Sequence, residues 1–365
     1  MPAPPVGLDI TPNALIAVAL KKKGKGYTVT RRAVTALEHG IVLDGEVHDV
    51  ERLAAAIRTF WDAEGFKDKT VSVGVANQRT IVRVLDLPRI KRKKELAEAI
   101  SFEVSDNLPI PIEDAIWDFH SLDVYKDPAS GIERQRHVVV MVYRETVERY
   151  RDAIQLAGLK LRRIDLAAFA LMRSGLESIA GDPALEELPE GESQPAVAFC
   201  DIGPTTTNLV VSRGGVCEMN RLVSFGTTFF SETLGEQFGW STEDAERVKI
   251  EAGVLPLGGV ESPGDPYTDT RRVMQYVADQ FAAELKTSFD YYSHNSNGAC
   301  RVARVVLSGE GALLRGIEER FAAELGVPVS ILDASPRLDV ASIDELGVNH
   351  AHFGTALGLA MEDAA

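Results

Sequence analysis

Apolar residues in this chain fall either in short runs or at four-residue steps, and the alternation of the two predicts a mixed α/β protein. The densest stretch is 196–212. Ala196 to Phe199 reads as a buried strand ending in Asp201, and a tight turn follows with Gly203, Pro204, Thr205, Thr206 and Thr207. Asn208 leads into a second strand, Leu209 to Val211. Val6 to Val18 repeats the plan: strand, Asp9, a turn with Thr11, Pro12 and Asn13, then strand. Both copies contain Asp-Ile-x-Pro, at 9–12 and 201–204. An echo inside one supersecondary unit, opening each half of the chain, predicts a duplicated domain with a ligand between the halves. Turn amides and threonine hydroxyls are donors that suit phosphate oxygens. Asp201 stands where a carboxylate meets a magnesium ion through water.

The rest of the first half reads as a solvated turn at 21–26, a strand at 27–35, a helix at 50–64, and strands at 71–75 and 80–87. In the helix, Leu53, Ile57, Phe60 and Trp61 share one face. The first 85 or so residues thus predict a βββαββ layer. Pro88 breaks the pattern, and Arg89, Lys91, Arg92, Lys93 and Lys94 precede a helix bearing Leu96, Ile100 and Val104. That basic run is either a solvated face or an attraction for an acidic partner or anionic lipid. Leu108-Pro109-Ile110-Pro111-Ile112 is a proline-spaced linker. Strands at 115–125, 137–143 and 159–164 with a helix at 145–157 complete a predicted α+β insertion over 88–164.

A helix at 165–179 returns to the first domain, and 181–195 reads as a crossover. After the second hairpin come a strand at 216–225 ending at Gly226, a helix at 228–238, and a helix opened by Ser241-Thr242-Glu243-Asp244. A Gly/Pro loop at 254–270, a long helix at 271–292 and a strand at 302–307 follow. Ser308 to Ala312 is expected to open a helix at 313–325, and the terminal helix 353–361 is apolar enough to be buried.

Composition narrows the function. The 365 residues suffice for two ordinary domains, and 45% are apolar, so most of the chain should fold. A net charge of −15 argues against a nucleic-acid-binding surface over the whole protein. Cys200, Cys217 and Cys300 stand at no metal-ligand spacing and read as reduced, buried thiols of a cytoplasmic protein. The N-terminal residues lack the features of a signal peptide, and no stretch approaches the ~20 apolar residues of a membrane helix. A membrane role would need a partner. His350 and His352 lack a third ligand nearby in sequence and are expected to be structural.

Several segments together resemble the PilM family of type IV pilus assembly, an FtsA-like branch of the actin/Hsp70/sugar-kinase superfamily. They are Val6–Ile10, Asp44–Val47, Ala99–Glu103, Leu108–Asp114, Ile164–Leu171, Asp201–Asn208, Ser288–Tyr292, Leu307–Leu314 and Phe353–Ala360. The Phe-Glu and Leu-Pro-Ile-Pro-Ile-Glu pair of the insertion is the most family-specific part. The resemblance implies a duplicated actin-like (ribonuclease H-like) α/β fold. One subdomain would comprise 1–87 and 165–194, closed by the helix at 351–362, with 88–164 inserted. A second would comprise 195–240 and 300–350, and a third 241–299.

The resemblance implies ATP or ADP with magnesium between the halves. Asp9, Thr11, Asn13, Asp201, Gly203, Thr205, Thr206, Thr207, Asn208 and Gly226 would surround the phosphates. Asp9 and Asp201 would reach the metal through water. Glu246, Lys249, Ser308, Gly309, Gly311 and Ala312 would meet the nucleoside. Four positions depart from the family pattern: Thr11 replaces a glycine, Ile16 a lysine, Ala167 a glutamate and Glu310 a glycine. Losing a phosphate-loop lysine removes charge stabilisation that phosphoryl transfer uses, so binding is expected ahead of hydrolysis. A nucleotide-free pseudo-site is the alternative.

The implied partner is the N-terminal cytoplasmic tail of a PilN-like single-span membrane protein, in a groove that Phe102, Leu108 and Ile110 would wall. Pilus assembly ATPases are a further implied partner. Rival readings are an FtsA-like filament protein and a small-molecule kinase, for which Asp165 is the candidate catalytic base. An equivalent adaptor of a secretion or DNA-uptake machine also remains open.

Overall fold

The computed structural model describes residues 4–361 except 25, 106–110, 128–129, 190, 257–262, 297, 340–341 and 343–346. Strands β1 (Val6–Ile10), β2 (Ala14–Lys23) and β3 (Gly26–Ala36) form an antiparallel meander. The lysines at 21–23 continue β2, so the turn is tighter than the sequence predicts, with Gly24 at φ 61°. Two short strands, β4 (Val42–Leu43) and β5 (Glu46–Val47), lead into helix α1 (Val50–Glu64). Asp49 caps that helix by accepting from the Arg52 amide, and Gly65 ends it in the left-handed region. Its apolar face is fully buried, as the spacing predicts. Strand β6 (Thr70–Val75) then runs parallel to β1.

The chain next makes β7 (Ile81–Pro88), helix α2 (Lys93–Ser105), β8 (Ala115–Lys126) and β9 (Glu133–Tyr143). These strands form their own sheet in the order β7-β9-β8. Leu96, Ile100 and Val104 of α2 pack on Val139 and Met141, a core separate from the main one. Helix α3 (Arg144–Leu156) follows, and β10 (Lys160–Leu166) pairs parallel with β6. Two assignments thus change places. The strand at 80–87, expected in the first layer, joins the small sheet. The strand at 159–164, expected in the insertion, joins the first layer. Both are short, half-buried alternating strands, and distant partners decide which sheet such a strand enters. Helix α3 goes with the first layer too, its Tyr150 and Ile154 lying in the main core.

Helix α4 (Ala167–Gly175) starts two residues later than expected, leaving Asp165 in β10. The second half begins with β11 (Gln194–Ile202), β12 (Thr207–Arg213) and β13 (Val216–Val223). Helices α5 (Thr228–Phe238), α6 (Thr242–Ala252) and α7 (Thr268–Asn295) follow. Ser241 caps α6 by accepting from the Asp244 amide at 3.1 Å. Strand β14 (Cys300–Ser308), helix α8 (Ile317–Leu325), β15 (Val329–Ile331) and helix α9 (Gly354–Ala360) complete the chain. Ser308–Ala312 does not open α8 directly. A 3-10 turn at Glu310–Leu313 intervenes, and Gly316 (φ 83°) immediately precedes the helix.

The duplication inferred from Asp-Ile-x-Pro is present in the sheets. The orders are β10-β6-β1-β2-β3 and β15-β14-β11-β12-β13, with the same strand senses at every step. The halves also exchange their last helices. Helix α9, from the end of the second half, lies on β1 and β6 of the first and packs along α4. Helix α4, from the first half, touches β11 and β12 of the second. Gly7 makes room for α9, since a Cβ there would sit 2.0 Å from the Ala356 carbonyl oxygen.

Candidate functional site

The ends of β1 and β11 bring the two Asp-tipped hairpins to the walls of one cleft. In register, Asp9 pairs with Ile16 and Asp201 with Asn208, the same place in each hairpin. Burial and the facing charge of Asp201 push the Asp9 carboxyl up to about 8. Burial raises Asp201 as well, against the hydrogen bond from Thr355 and the field of His352. Thr355 Oγ1 donates to Asp201 at 2.6 Å. Glu310 lines the same cleft and accepts from Thr227 Oγ1 at 2.5 Å.

Ile16 and Ala167, the two expected losses of a charged side chain, both lie on the cleft wall. Among the described lining residues there is no lysine or arginine. Buried carboxylates without a cationic side chain call for a cation from solution. Asn208 is 6% exposed, lines the cleft, and has no hydrogen-bond partner at either end of its amide. Such an orphaned amide suits an absent polar ligand. The facing carboxylates, the amide and the turn backbone fit a hydrated divalent ion with phosphoryl oxygens. Among the described residues no three His, Cys, Asp or Glu side chains group as a direct metal site.

The turns themselves are tightly bonded. Thr11 Oγ1 donates to Asn13 Oδ1 at 3.0 Å and to the Ala14 carbonyl at 3.1 Å. The Gly203 amide donates to the Thr206 carbonyl at 3.0 Å. Thr11, Asn13, Gly203 and Thr206 line the cleft, whereas Thr205 is exposed outside it. Thr207 is buried, its hydroxyl donating to the Phe225 carbonyl at 2.8 Å. Gly226 backs the second turn, because a Cβ there would meet the Pro204 carbonyl oxygen at 2.4 Å. The amides of Thr227 and Thr228 donate to the Gly203 and Pro204 carbonyls.

Of the expected nucleoside residues, Gly309 lines the cleft. At φ 81°, with the Ile202 carbonyl oxygen and Asp201 Oδ1 2.5 and 2.6 Å from where a Cβ would be, only glycine fits there. Ser308 is buried and donates to the Ala351 carbonyl at 2.7 Å. Gly311 and Ala312 are buried, and Gly311 lies against Ile202 and Thr227. Glu246 and Lys249 pair with each other at 2.7 Å. Lys249 also reaches the Thr227 carbonyl, and Glu246 accepts from Ser231. Neither is on the described cleft wall.

Asp165 stands apart from the cleft. Its carboxylate pairs with Arg173 at 2.9 Å, and Arg173 also donates to the Gly358 carbonyl of α9. The ion pair ties β10 and α4 to the terminal helix. Phe102 projects from α2 at 71% exposure. Leu108 and Ile110 lie outside the described residues. The sequence reading missed His352, which was expected to be structural and is on the cleft wall, and Thr355, which bonds Asp201. Their signal is absent locally because they sit about 150 residues from Asp201 in sequence.

Two matching half-folds with acid-tipped hairpins across one cleft define an actin-like protein. The solved structure of a PilM–PilN type IV pilus biogenesis complex has a chain with TM-score 0.75 and 23% identity to this one, over 98% of each chain. The ethanolamine utilization protein EutJ of Carboxydothermus hydrogenoformans follows at TM-score 0.55 and 18% identity, over 99% of this chain and 90% of that one. MreB5 of Spiroplasma citri bound to ADP gives 0.53 and 13%, over 98% and 94%. A family model described as type IV pilus assembly protein PilM matches residues 7–364. The chain belongs to that family. No described helix is long and apolar enough to cross a membrane.

Proposed function

We propose that the chain is an actin-like adaptor of the inner-membrane type IV pilus assembly complex that binds ATP or ADP with magnesium between its halves. The observation that carries this is the facing of Asp9 and Asp201 across one cleft, both raised, with no lysine or arginine on its described wall. Asp9 and Asp201 would hold the ion through water. The turns around Thr11, Asn13, Gly203, Thr206 and Asn208 would meet phosphoryl oxygens, with Thr205, Thr207 and Gly226 shaping the second turn. The Gly309 segment would approach the nucleoside, with Ser308, Gly311 and Ala312 fixing it and the Glu246–Lys249 pair bracing Thr227. Magnesium supplies the positive charge that the phosphates need here. Hydrolysis is slow or absent, because Ile16 and Ala167 offer neither a phosphate-binding cation nor a base. A small-molecule kinase needs a free carboxylate base, and Asp165 is held by Arg173.

The partner we assign is the N-terminal cytoplasmic tail of a PilN-like single-span protein, a reading supported by the likeness to the PilM chain of a PilM–PilN complex. Membrane attachment goes through that partner, and pilus assembly ATPases would be a further contact. Phe102 is exposed on α2 and is the anchor we assign to the tail. We divide the chain as the family resemblance implies, except that β7 joins α2, β8 and β9 in the inserted module while α3 and β10 belong to the first subdomain.

A titration with a fluorescent ATP analogue, with and without magnesium, tests the cleft. Asp9→Ala and Asp201→Ala should each weaken magnesium-dependent binding at least tenfold. Equal binding by all three proteins would remove the cleft from consideration. A PilN-tail peptide that fails to bind at ~100 μM would remove the partner, since useful peptide docking is usually micromolar.

A further inference from the structure

We propose that His352 donates, through Nε2, a hydrogen bond to an anionic phosphate oxygen of the nucleotide in the cleft. The inference rests on the nucleotide reading above and adds a residue to it. Four observations support it. His352 is on the cleft wall. Its Nε2 is buried and has no hydrogen-bond partner. It stands close enough to Asp201 for their charges to interact. Among the described lining residues, no lysine or arginine competes for the role, and the imidazole is the only side chain there able to carry positive charge.

The chain on either side of His352 is held in place. The residue before it, Ala351, has its carbonyl taken by Ser308 Oγ at 2.7 Å and the Gly309 amide at 3.1 Å. The residue after it, Phe353, lies beneath the Arg32 guanidinium at 5.3 Å. Helix α9 begins at once and sends Thr355 to Asp201. A buried ring nitrogen with nothing to bond costs stability unless a ligand completes it. Phosphate oxygens are the acceptors that the opposing turns are built to present. The first hairpin has Ile16 where the family resemblance implies a lysine, and His352 offers a hydrogen-bond donor from the opposite wall.

The test uses the full chain. Calorimetric titration with magnesium–ADP is compared for wild type, His352→Leu and His352→Gln, with the unliganded melting temperature of each. His352→Leu should bind about tenfold more weakly, the usual loss for a hydrogen bond to a charged group. Its melting temperature should stay within about 2 °C of wild type or rise, since an unpaired buried donor is removed. His352→Gln keeps a donor and should recover part of the affinity. Unchanged affinity in His352→Leu overturns the inference. So does a parallel fall of affinity and melting temperature that His352→Gln fails to rescue, because that marks a packing role. Wild type that binds no nucleotide overturns the parent reading and this one with it, a result distinct from the other two.

Discussion

Gly358→Ala tests how far the cleft depends on the terminal helix. A Cβ at 358 would lie 1.8 Å from the Ala170 carbonyl oxygen and 2.4 Å from its carbon. The first distance is about 1.6 Å short of ordinary contact, and backbone cannot rotate aside as a side chain can. Helix α9 has no room to retreat. Its other face holds Ala356 and Ala360 against β1, where Gly7 already leaves no space for a Cβ. We therefore expect the upper end of the overpacking range, about 3 kcal/mol. Urea unfolding should read that loss directly. The same displacement should stretch the 2.6 Å Thr355–Asp201 bond and move His352, so magnesium–ADP affinity should drop several-fold in parallel. A variant within about 0.5 kcal/mol of wild type, with unchanged affinity, would refute the argument.

Two further outcomes follow from the cleft. Ile16→Lys places an ammonium opposite Asp9 in the β1–β2 register, so ADP affinity by calorimetry should rise about tenfold; no gain would show that the wall is not where phosphates lie. Asp9 sets a pH dependence of the ligand-free protein. Its folded value is raised to about 8, so the folded chain keeps a proton that the unfolded chain sheds above about 4. This stabilisation is whole below the unfolded value and is lost as pH climbs towards the folded one. Between pH 5 and 7 wild type should lose about 2–3 kcal/mol relative to Asp9→Asn, measured by urea unfolding without divalent ions. Parallel pH profiles would contradict the burial of the Asp9 carboxyl beside Asp201.

The architecture was legible where chemistry repeats locally. Asp-Ile-x-Pro inside two strand–turn–strand units gave the duplication, and the four-step period of Leu53, Ile57 and Trp61 gave α1 nearly to the residue. Reading stopped where distant pairing decides. Nothing in 80–87 distinguishes a partner in β9 from one in the first sheet, because both choices bury the same alternate residues. The glycines after Ser308 suggested a helix start. Their real constraint is close packing on Ile202 and Asp201, with the helix delayed to Ile317. The cleft followed the same division. Asp9 and Asp201 stood out from their hairpins, while His352 and Thr355 acquire meaning only once α9 is laid against the first half. Asp165 was placed by its neighbourhood in sequence, and the arginine that neutralises it, Arg173, lies one helical step too far on to be read as its partner.

The exchange of final helices bears on how this protein is made. Residues 354–360 cover strands made long before them, with Gly7 seated against Ala356. Until residues 354–360 are made, the face of β1 and β2 that they cover lacks its helix. An emerging N-terminal half therefore cannot mature by itself, although domains of multidomain chains commonly do. Chains cut just before residue 354 should be retained by chaperones and cleared by proteases, rather than persist as a shortened but working adaptor.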